Sequence, residues 1–395
     1  MRKILEKIAH VQFFNQIASI LVGVIIAYIS WNLSIELTLS SSLLFFAYLF
    51  IGQRVYLFLV VLSYYLFASR GLLIGTQNYY ESFYIALLFW ISASFLTTLV
   101  WVVVWSSLFK KRLYLFPFML TLLIIPPIGF ISWVNPIISS AIIFPKQGFL
   151  GIAFYLLFVY ITALIIKRYK PFKQSIILTL IMVFIALIYN QNAKIENSQK
   201  LHPINSNLLY KNQAIDFIGD YRRQKKLLLV ANNSKYNQLL FHENALGVFS
   251  LNSMMIWENL DKNKTVLAGA TIYKNQNSYD NVLMEITNSS HKILYKQRVP
   301  VPISMWKFWI EQGANAYPFY NPIIEHNKSR VGVFICYEQL LTYTYLHTMF
   351  YNPDYIIGIS NLWWVEDNSI EKIQKRSLKL WSLLFKKEVY FSVNR

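Results

Sequence analysis

The sequence predicts two parts of different character, a multi-pass α-helical membrane domain followed by an extracytoplasmic α/β domain. Three observations predict it. Nearly everything before Asn190 is apolar and sparsely charged, in a chain of 395 residues that is 55% hydrophobic and only 14% charged. That balance is far from an ordinary soluble enzyme. Basic residues in this half gather in alternate links between apolar segments. After Asn207, β-prone runs alternate with helical patterns, as in a layered α/β domain. The boundaries read as 1–190 for seven transmembrane helices, 191–207 for a polar linker and 208–395 for the second domain.

The apolar segments are Val11–Trp31, Leu37–Ile51, Val55–Phe67, Phe83–Leu108, Leu113–Trp133, Phe149–Ile166 and Ile176–Tyr189. The second and third are short for ~30 Å of hydrocarbon, and Pro126-Pro127 kinks or breaks the fifth. One apolar segment follows another without a small-residue cleavage site, which argues against a secretory signal peptide. The link Asn135–Gln147 is itself apolar, and reads as a packed loop or a re-entrant segment.

Charge placement gives the orientation. With the basic N-terminus inside, three inner links hold Arg54, then Lys110-Lys111-Arg112, then Lys167-Arg168-Lys170-Lys173. The positive-inside rule then places everything after Tyr189 on the outer face. The net charge of +18 has the same origin, so no nucleic-acid partner is expected. The single cysteine excludes an internal disulfide, and the six histidines show no ligand spacing, so no metal or other cofactor is expected.

In the second domain the expected strands are Lys226–Ala231, Leu239–His242, Thr265–Tyr273, Val282–Thr287, Ile293–Lys296, Arg330–Cys336, Tyr355–Ser360 and Val389–Val393. The expected helices are Asn207–Tyr221, Glu243–Leu260, Glu338–Met349 and Ser369–Phe385. The last carries Lys372, Lys375, Arg376, Lys379, Lys386 and Lys387, and reads as a solvated or headgroup-facing basic face.

Cys336 closes the apolar run Val331-Gly332-Val333-Phe334-Ile335 and is followed by Tyr337, Glu338 and a helical pattern. Such a thiol is either a buried core residue or a nucleophile on a strand-to-helix elbow, its pKa lowered by the helix start. Glu243, in Phe241-His242-Glu243-Asn244-Ala245-Leu246, is either a first-turn helix acid or a general base. Lys292–Arg298 ends a strand in cations that sit on a surface or hold an oxyanion. Asn361-Leu362-Trp363-Trp364 follows another strand, where paired tryptophans line a substrate pocket or form an interfacial belt.

A Glu after one strand, a Lys after a later one and a Cys after a third, in that order, resemble the Glu–Lys–Cys arrangement of the nitrilase (carbon–nitrogen hydrolase) superfamily. The seven-span architecture resembles bacterial apolipoprotein N-acyltransferase. The resemblance is closer to the conjugal-transfer TraB family, carried by Gly129–Pro145, Pro300–Trp306, Cys336–Leu341 and Asn361–Trp364. Two departures stand out. The acyltransferase reads Val-Pro-Phe-Gly-Glu after its lysine, against Val301-Pro302-Ile303-Ser304 here, and no closing eighth span is expected before Arg395.

The resemblance implies an αββα sandwich for the second domain, in a bacterial inner-membrane protein with that domain in the periplasm. It implies Glu243 as base, Cys336 as nucleophile, the Tyr337 N–H as oxyanion donor and Glu338 as a supporting acid. Counting back from Val301-Pro302 without a gap lands on Gln297, and a one-residue shift gives Lys296. Lys296 is taken as the cation, with Arg298 the alternative, and Asn361, Trp363 and Trp364 as pocket residues. The implied activity is thioester-mediated acyl transfer to an amine, or amide hydrolysis. A phospholipid acyl donor and an amine-bearing acceptor, protein or otherwise, would be the partners. The other reading is a catalytically retired scaffold of a conjugation or envelope complex.

Overall fold

In the computed structural model, residues 2–80, 82–168, 195, 198, 200–208, 217–363 and 369–395 are described. The seventh apolar segment, the first part of the linker, the start of the helix expected from Asn207 and Trp364 lie outside them. The chain forms two compact units. The first is Met1–Lys194 with Leu341–Tyr343 and Asp367–Lys386, and the second is Ile195–Leu340 with Thr344–Glu366 and Lys387–Arg395.

The first unit is helical. Among the described residues, three of its helices, Val11–Asn32, Phe83–Val103 and Gly148–Arg168, are long and apolar enough to cross a membrane. Large apolar side chains such as Phe14, Leu88 and Leu150 stay exposed on them. Inside, Phe45 packs on Trp101 at 6.0 Å and Phe116 at 5.1 Å. Trp31 Nε1 donates to the Tyr64 hydroxyl at 2.9 Å, which donates to Val134 O at 2.8 Å, so the buried polar tips are satisfied. Helices Arg2–Asn32 and Arg54–Ala68 touch at Gly23, where a Cβ would lie 2.1 Å from Val60 O. The fifth segment stops being helical at Ile124, ahead of Pro126-Pro127. The link after Asn135 forms the short helical turns Pro136–Ser139 and Ser140–Ile143, with all of their residues buried.

Helix Ser369–Phe385 also belongs to this unit. Lys372, Lys375 and Lys379 form an exposed stripe on it, as the sequence suggests. Arg376 does not. Its guanidinium donates to the carbonyls of Ser30 and Leu33, capping the C-terminal end of the first helix.

The second unit is built on two sheets. One runs β1 (His202–Pro203), β2 (Gln238–Leu240), β3 (Thr265–Tyr273), β4 (Ser278–Ile286) and β5 (His291–Lys296), with β6 (Gly313–Ala314) also on β4. The other runs β10 (Glu388–Asn394), β9 (Tyr355–Asn361), β8 (Ser329–Ile335) and β7 (Ile323–His326). Period-2 alternation divides each strand between two layers. Leu267 and Leu283 of the first sheet meet Val331, Val333, Ile335, Ile357 and Ile359 of the second in the inter-sheet core. Val266, Ala268, Ala270, Val282 and Met284 face outward, against Leu227, Ala231, Ile256 and Trp257. On the outer side of the second sheet, Phe334 stacks on Tyr345 of helix Thr342–Phe350 at 4.4 Å. Helix, sheet, sheet, helix is the layer order.

Two expected elements differ. Lys226–Ala231 is helical, within Phe217–Asn233, rather than a strand. Asp220, Gln224, Leu227, Leu228 and Ala231 are buried on it, a helical spacing that a short continuous apolar run conceals. Glu243 does not open a helix either. The helix begins at Leu251, with Ser250 in a capping box, and Glu243 lies in the preceding loop.

Candidate active site

Cys336 follows the last residue of β8, where the chain turns into the tight helical turn Cys336–Leu340. Its φ of 47° is left-handed backbone, which a residue with a Cβ adopts at a cost of roughly 1–2 kcal/mol. The surroundings enforce it. Glu338 is fully buried and pulls the turn together: its Oε2 accepts the Ile335 N–H at 2.7 Å, and its Oε1 accepts the N–H of Arg298 at 2.6 Å and of Val299 at 3.2 Å. The Tyr295 hydroxyl adds bonds at 3.0 and 3.1 Å. Gln339 Nε2 ties the same turn to β8 through Phe334 O at 3.1 Å and to β9 through Ile359 O at 2.9 Å and Ser360 Oγ at 3.0 Å. The thiol thus stands half-buried on a rigid elbow.

Glu243 reaches this elbow from the loop after β2. The Gly269 N–H donates to His242 O at 3.1 Å, and the Leu246 N–H donates to Gly269 O at 3.0 Å, laying the loop along β3. Position 269 admits only glycine in this arrangement, because a Cβ there would sit 2.6 Å from Glu243 Cα. Asn244, at φ 54°, turns the chain directly after the acid.

The Glu243 carboxylate is buried and held from three sides. Asn281 Nδ2 donates to Oε1 at 2.7 Å, the Asn361 N–H donates to Oε2 at 2.9 Å, and the Cys336 thiol hydrogen-bonds it. Burial is the largest influence on this group and pushes its pKa up to about 7, against those three bonds. A carboxyl poised there both accepts and returns a proton at neutral pH. Burial likewise pushes the Glu338 carboxyl up, while Arg298 and the bonds from Ile335, Arg298 and Tyr295 favour its charged form. His242, beside Glu243, is held neutral by burial, its pKa lowered to about 4.

The expected cations are elsewhere. Lys296 lies on the outer face of the first sheet, with Nζ 2.7 Å from Asp280 Oδ2. Adjacent strand residues face opposite layers, so a one-residue shift in the count moved the chosen side chain through the sheet. Arg298 is fully buried, but its Nε donates to the Tyr295 hydroxyl at 2.7 Å and its NH2 group to Thr348 Oγ1 at 3.0 Å. Its NH1 group lies 3.0 Å from His347 Nδ1. Gln297, where the ungapped count lands, is the residue that faces inward with Asn281. Its Oε1 accepts from Asn281 Nδ2 at 3.1 Å and its Nε2 donates to Ile335 O at 3.0 Å.

Of the remaining expected residues, Asn361 contributes its backbone to Glu243, and its Oδ1 accepts from Asn394 Nδ2 at 2.9 Å. Tyr337 is buried on the elbow, Trp363 is half-buried in the turn after β9, and Trp364 lies outside the described residues. Asn281 and Gly269 escaped the sequence reading. The signal for Asn281 was a polar amide inside the strand-forming stretch Ser278–Ile286, and nothing in the pattern pairs it with Glu243.

Comparison with known proteins bears on this arrangement. The carbon–nitrogen hydrolase family model matches residues 179–382. The conjugal transfer protein TraB of Agrobacterium fabrum (strain C58 / ATCC 33970) is 29% identical over 353 residues, covering 84% of this chain and 82% of that protein. The probable conjugal transfer protein TraB of Sinorhizobium fredii (strain NBRC 101917 / NGR234) is 29% identical over 350 residues, covering 85% and 87%. Among solved structures, an amidase from Nesterenkonia sp. AN1 overlays at a TM-score of 0.36 and 7% identity, covering 49% of this chain and 77% of that one. So loose an overlay carries no argument.

Proposed function

Because the chain belongs to the carbon–nitrogen hydrolase family, we propose that it performs thioester-forming acyl chemistry at Cys336. The observation that carries this reading is the hydrogen bond between the Cys336 thiol and the buried Glu243 carboxylate. Glu243 takes the thiol proton as sulfur adds to an acyl carbonyl carbon, and the Tyr337 backbone N–H meets the oxygen that gains charge. As the tetrahedral species collapses, the carbon–nitrogen or carbon–oxygen bond breaks and Glu243 returns the proton to the leaving group. The resulting thioester passes its acyl group to an amine, or to water, and the thiol is regenerated.

The three apolar helices and the basic inner links support a multi-pass bacterial inner-membrane protein with this domain on the periplasmic side. A membrane lipid is then a natural acyl donor. The names of the similar proteins support a role in conjugal transfer.

The test is intact-mass analysis of the full-length protein in detergent after incubation with phospholipid vesicles or an activated acyl ester. An acyl adduct that hydroxylamine removes and Cys336→Ser abolishes is the expected result. Wild-type protein that never acquires such an adduct would sink the reading.

A second reading, a scaffold that keeps the fold without its chemistry, is favoured by the neutral Gln297 at the position expected for a cation. Full cellular function in both Cys336→Ala and Glu243→Gln would establish it.

A further inference from the structure

The base and the nucleophile come from different sheets, and beyond their own hydrogen bond two side-chain amides join them. Asn281 projects from β4, where its two Nδ2 protons are both committed, one to Glu243 Oε1 at 2.7 Å and one to Gln297 Oε1 at 3.1 Å. Gln297 completes the span by donating Nε2 to Ile335 O at 3.0 Å, the carbonyl directly before Cys336. Its backbone is fixed too, since its N–H donates to Asn281 O at 2.8 Å. Both side chains are buried, Asn281 at 5% exposure and Gln297 at 1%.

We propose that Asn281 and Gln297 are positioning residues, a neutral two-amide bridge that carries the placement of the Cys336 elbow to the Glu243 carboxylate and aligns thiol and base without a cation. The inference rests on Glu243 serving Cys336 as a base.

The direction of each bond supports the bridge. A carboxylate and a backbone carbonyl are both acceptors, so linking them requires a unit with a donor at each end. Asn281 Nδ2 and Gln297 Nε2 are those donors, and Gln297 Oε1 is the acceptor between them. A lysine at 297 could donate at both ends but accept nothing from Asn281, and would put a positive charge beside Glu243. Among the described residues, the groups that hydrogen-bond the Glu243 carboxylate are the Asn281 amide from β4, the Asn361 N–H from the end of β9 and the Cys336 thiol of the elbow. Glu338 acts on it through space as a like charge, and His242 of its own loop is turned to the Glu243 backbone. None of these is a cation.

The experiment is the rate of Cys336 alkylation by iodoacetamide across pH 5–9, read by mass on the full-length protein in detergent. Wild type should show an inflection where Glu243 loses its proton. Asn281→Leu and Gln297→Met should each slow alkylation at pH 7 by roughly tenfold to a hundredfold. Because they break one bridge, the double variant should be no slower than the worse single. Gln297→Lys should move the inflection to lower pH, and Asn281→Asp, of nearly unchanged shape, should move it higher by setting a like charge against Glu243. A wild-type rate and profile in Gln297→Met, fully additive losses in the double variant, or an unmoved inflection in both charge variants would overturn the proposal. The acyl-adduct experiment can fail while this profile behaves as expected. That outcome would leave the bridge standing and remove the acyl-transfer reading.

Discussion

Glu338 Oε1 accepts the backbone N–H of Arg298 at 2.6 Å, joining the residue two places after the cysteine to the cation-rich strand end Lys292–Arg298. The same carboxylate lies 3.7 Å from Arg298 Nε, and both side chains are fully buried. Glu338 is therefore a fastening of the elbow and Arg298 is its counter-charge. Glu338→Ala would leave the guanidinium buried without that counter-charge and three backbone N–H groups without their acceptor. Removing one partner of such a pair costs about 3–5 kcal/mol. Thermal unfolding of the full-length protein in detergent should show a drop of many degrees, and a shift of a degree or two would show that the pair is weakly coupled to folding.

Lys296 gives a contrasting expectation. Its ammonium pairs with Asp280 on the outer face of the sheet, with a third of the side chain exposed. Lys296→Met should cost less than about 1 kcal/mol, as partly solvated ion pairs do. It should leave the pH profile of Cys336 alkylation unchanged. A shifted or slowed profile would return Lys296 to the catalytic groups.

These two residues mark what the sequence made legible. Cys336 at a strand end and Glu243 after another could be read from local words, because each sits where a short apolar run stops. The apolar segments of the first unit were legible for the same reason. Hydrogen bonds across the fold were not: Asn361 and Glu243 are 118 positions apart, and only the pairing of the two sheets brings them together. The choice of Lys296 over Gln297 failed on parity, since side chains one residue apart face opposite layers of a sheet. Arg376 was hidden by its neighbours. Three exposed lysines on its helix made a basic face the natural reading, and the carbonyls it caps belong to a helix more than three hundred residues earlier.

Burial of Glu243 makes stability depend on pH. Its folded pKa is raised to about 7 from an ordinary value of 4.5, so the folded state binds a proton that the unfolded state releases between those values. The contribution is fully present below about pH 4.5 and is lost as pH rises through about 7. Its size is at most ~3 kcal/mol, at 1.36 kcal/mol per unit. His242 and His347, each lowered to about 4 by burial, work in the opposite direction over much of the same range. The difference between wild type and Glu243→Gln isolates the acid. Relative to Glu243→Gln, wild type should lose stability between pH 5 and 8, measured by thermal or chemical denaturation. A difference that is flat with pH would mean that the carboxyl keeps an ordinary pKa.

Two glycines separate positioning from stability. At Gly269 an added Cβ would meet Glu243 Cα and Asn244 N, both 2.6 Å away, and both are backbone atoms of the loop that carries Glu243. That loop must move for Gly269→Ala to fold. At Gly332, on β8, an added Cβ would meet Thr348 Cγ2 at 2.6 Å, on the outer side of the sheet and away from Glu243. Overpacking costs typically 1–3 kcal/mol at either place, so both variants should unfold at lower temperature. Only Gly269→Ala should also slow Cys336 alkylation at pH 7, by roughly tenfold or more, because only there does the strain displace the carboxyl from the thiol. Equal alkylation rates in the two variants would mean that Glu243 does not activate Cys336 through the contact that the loop maintains.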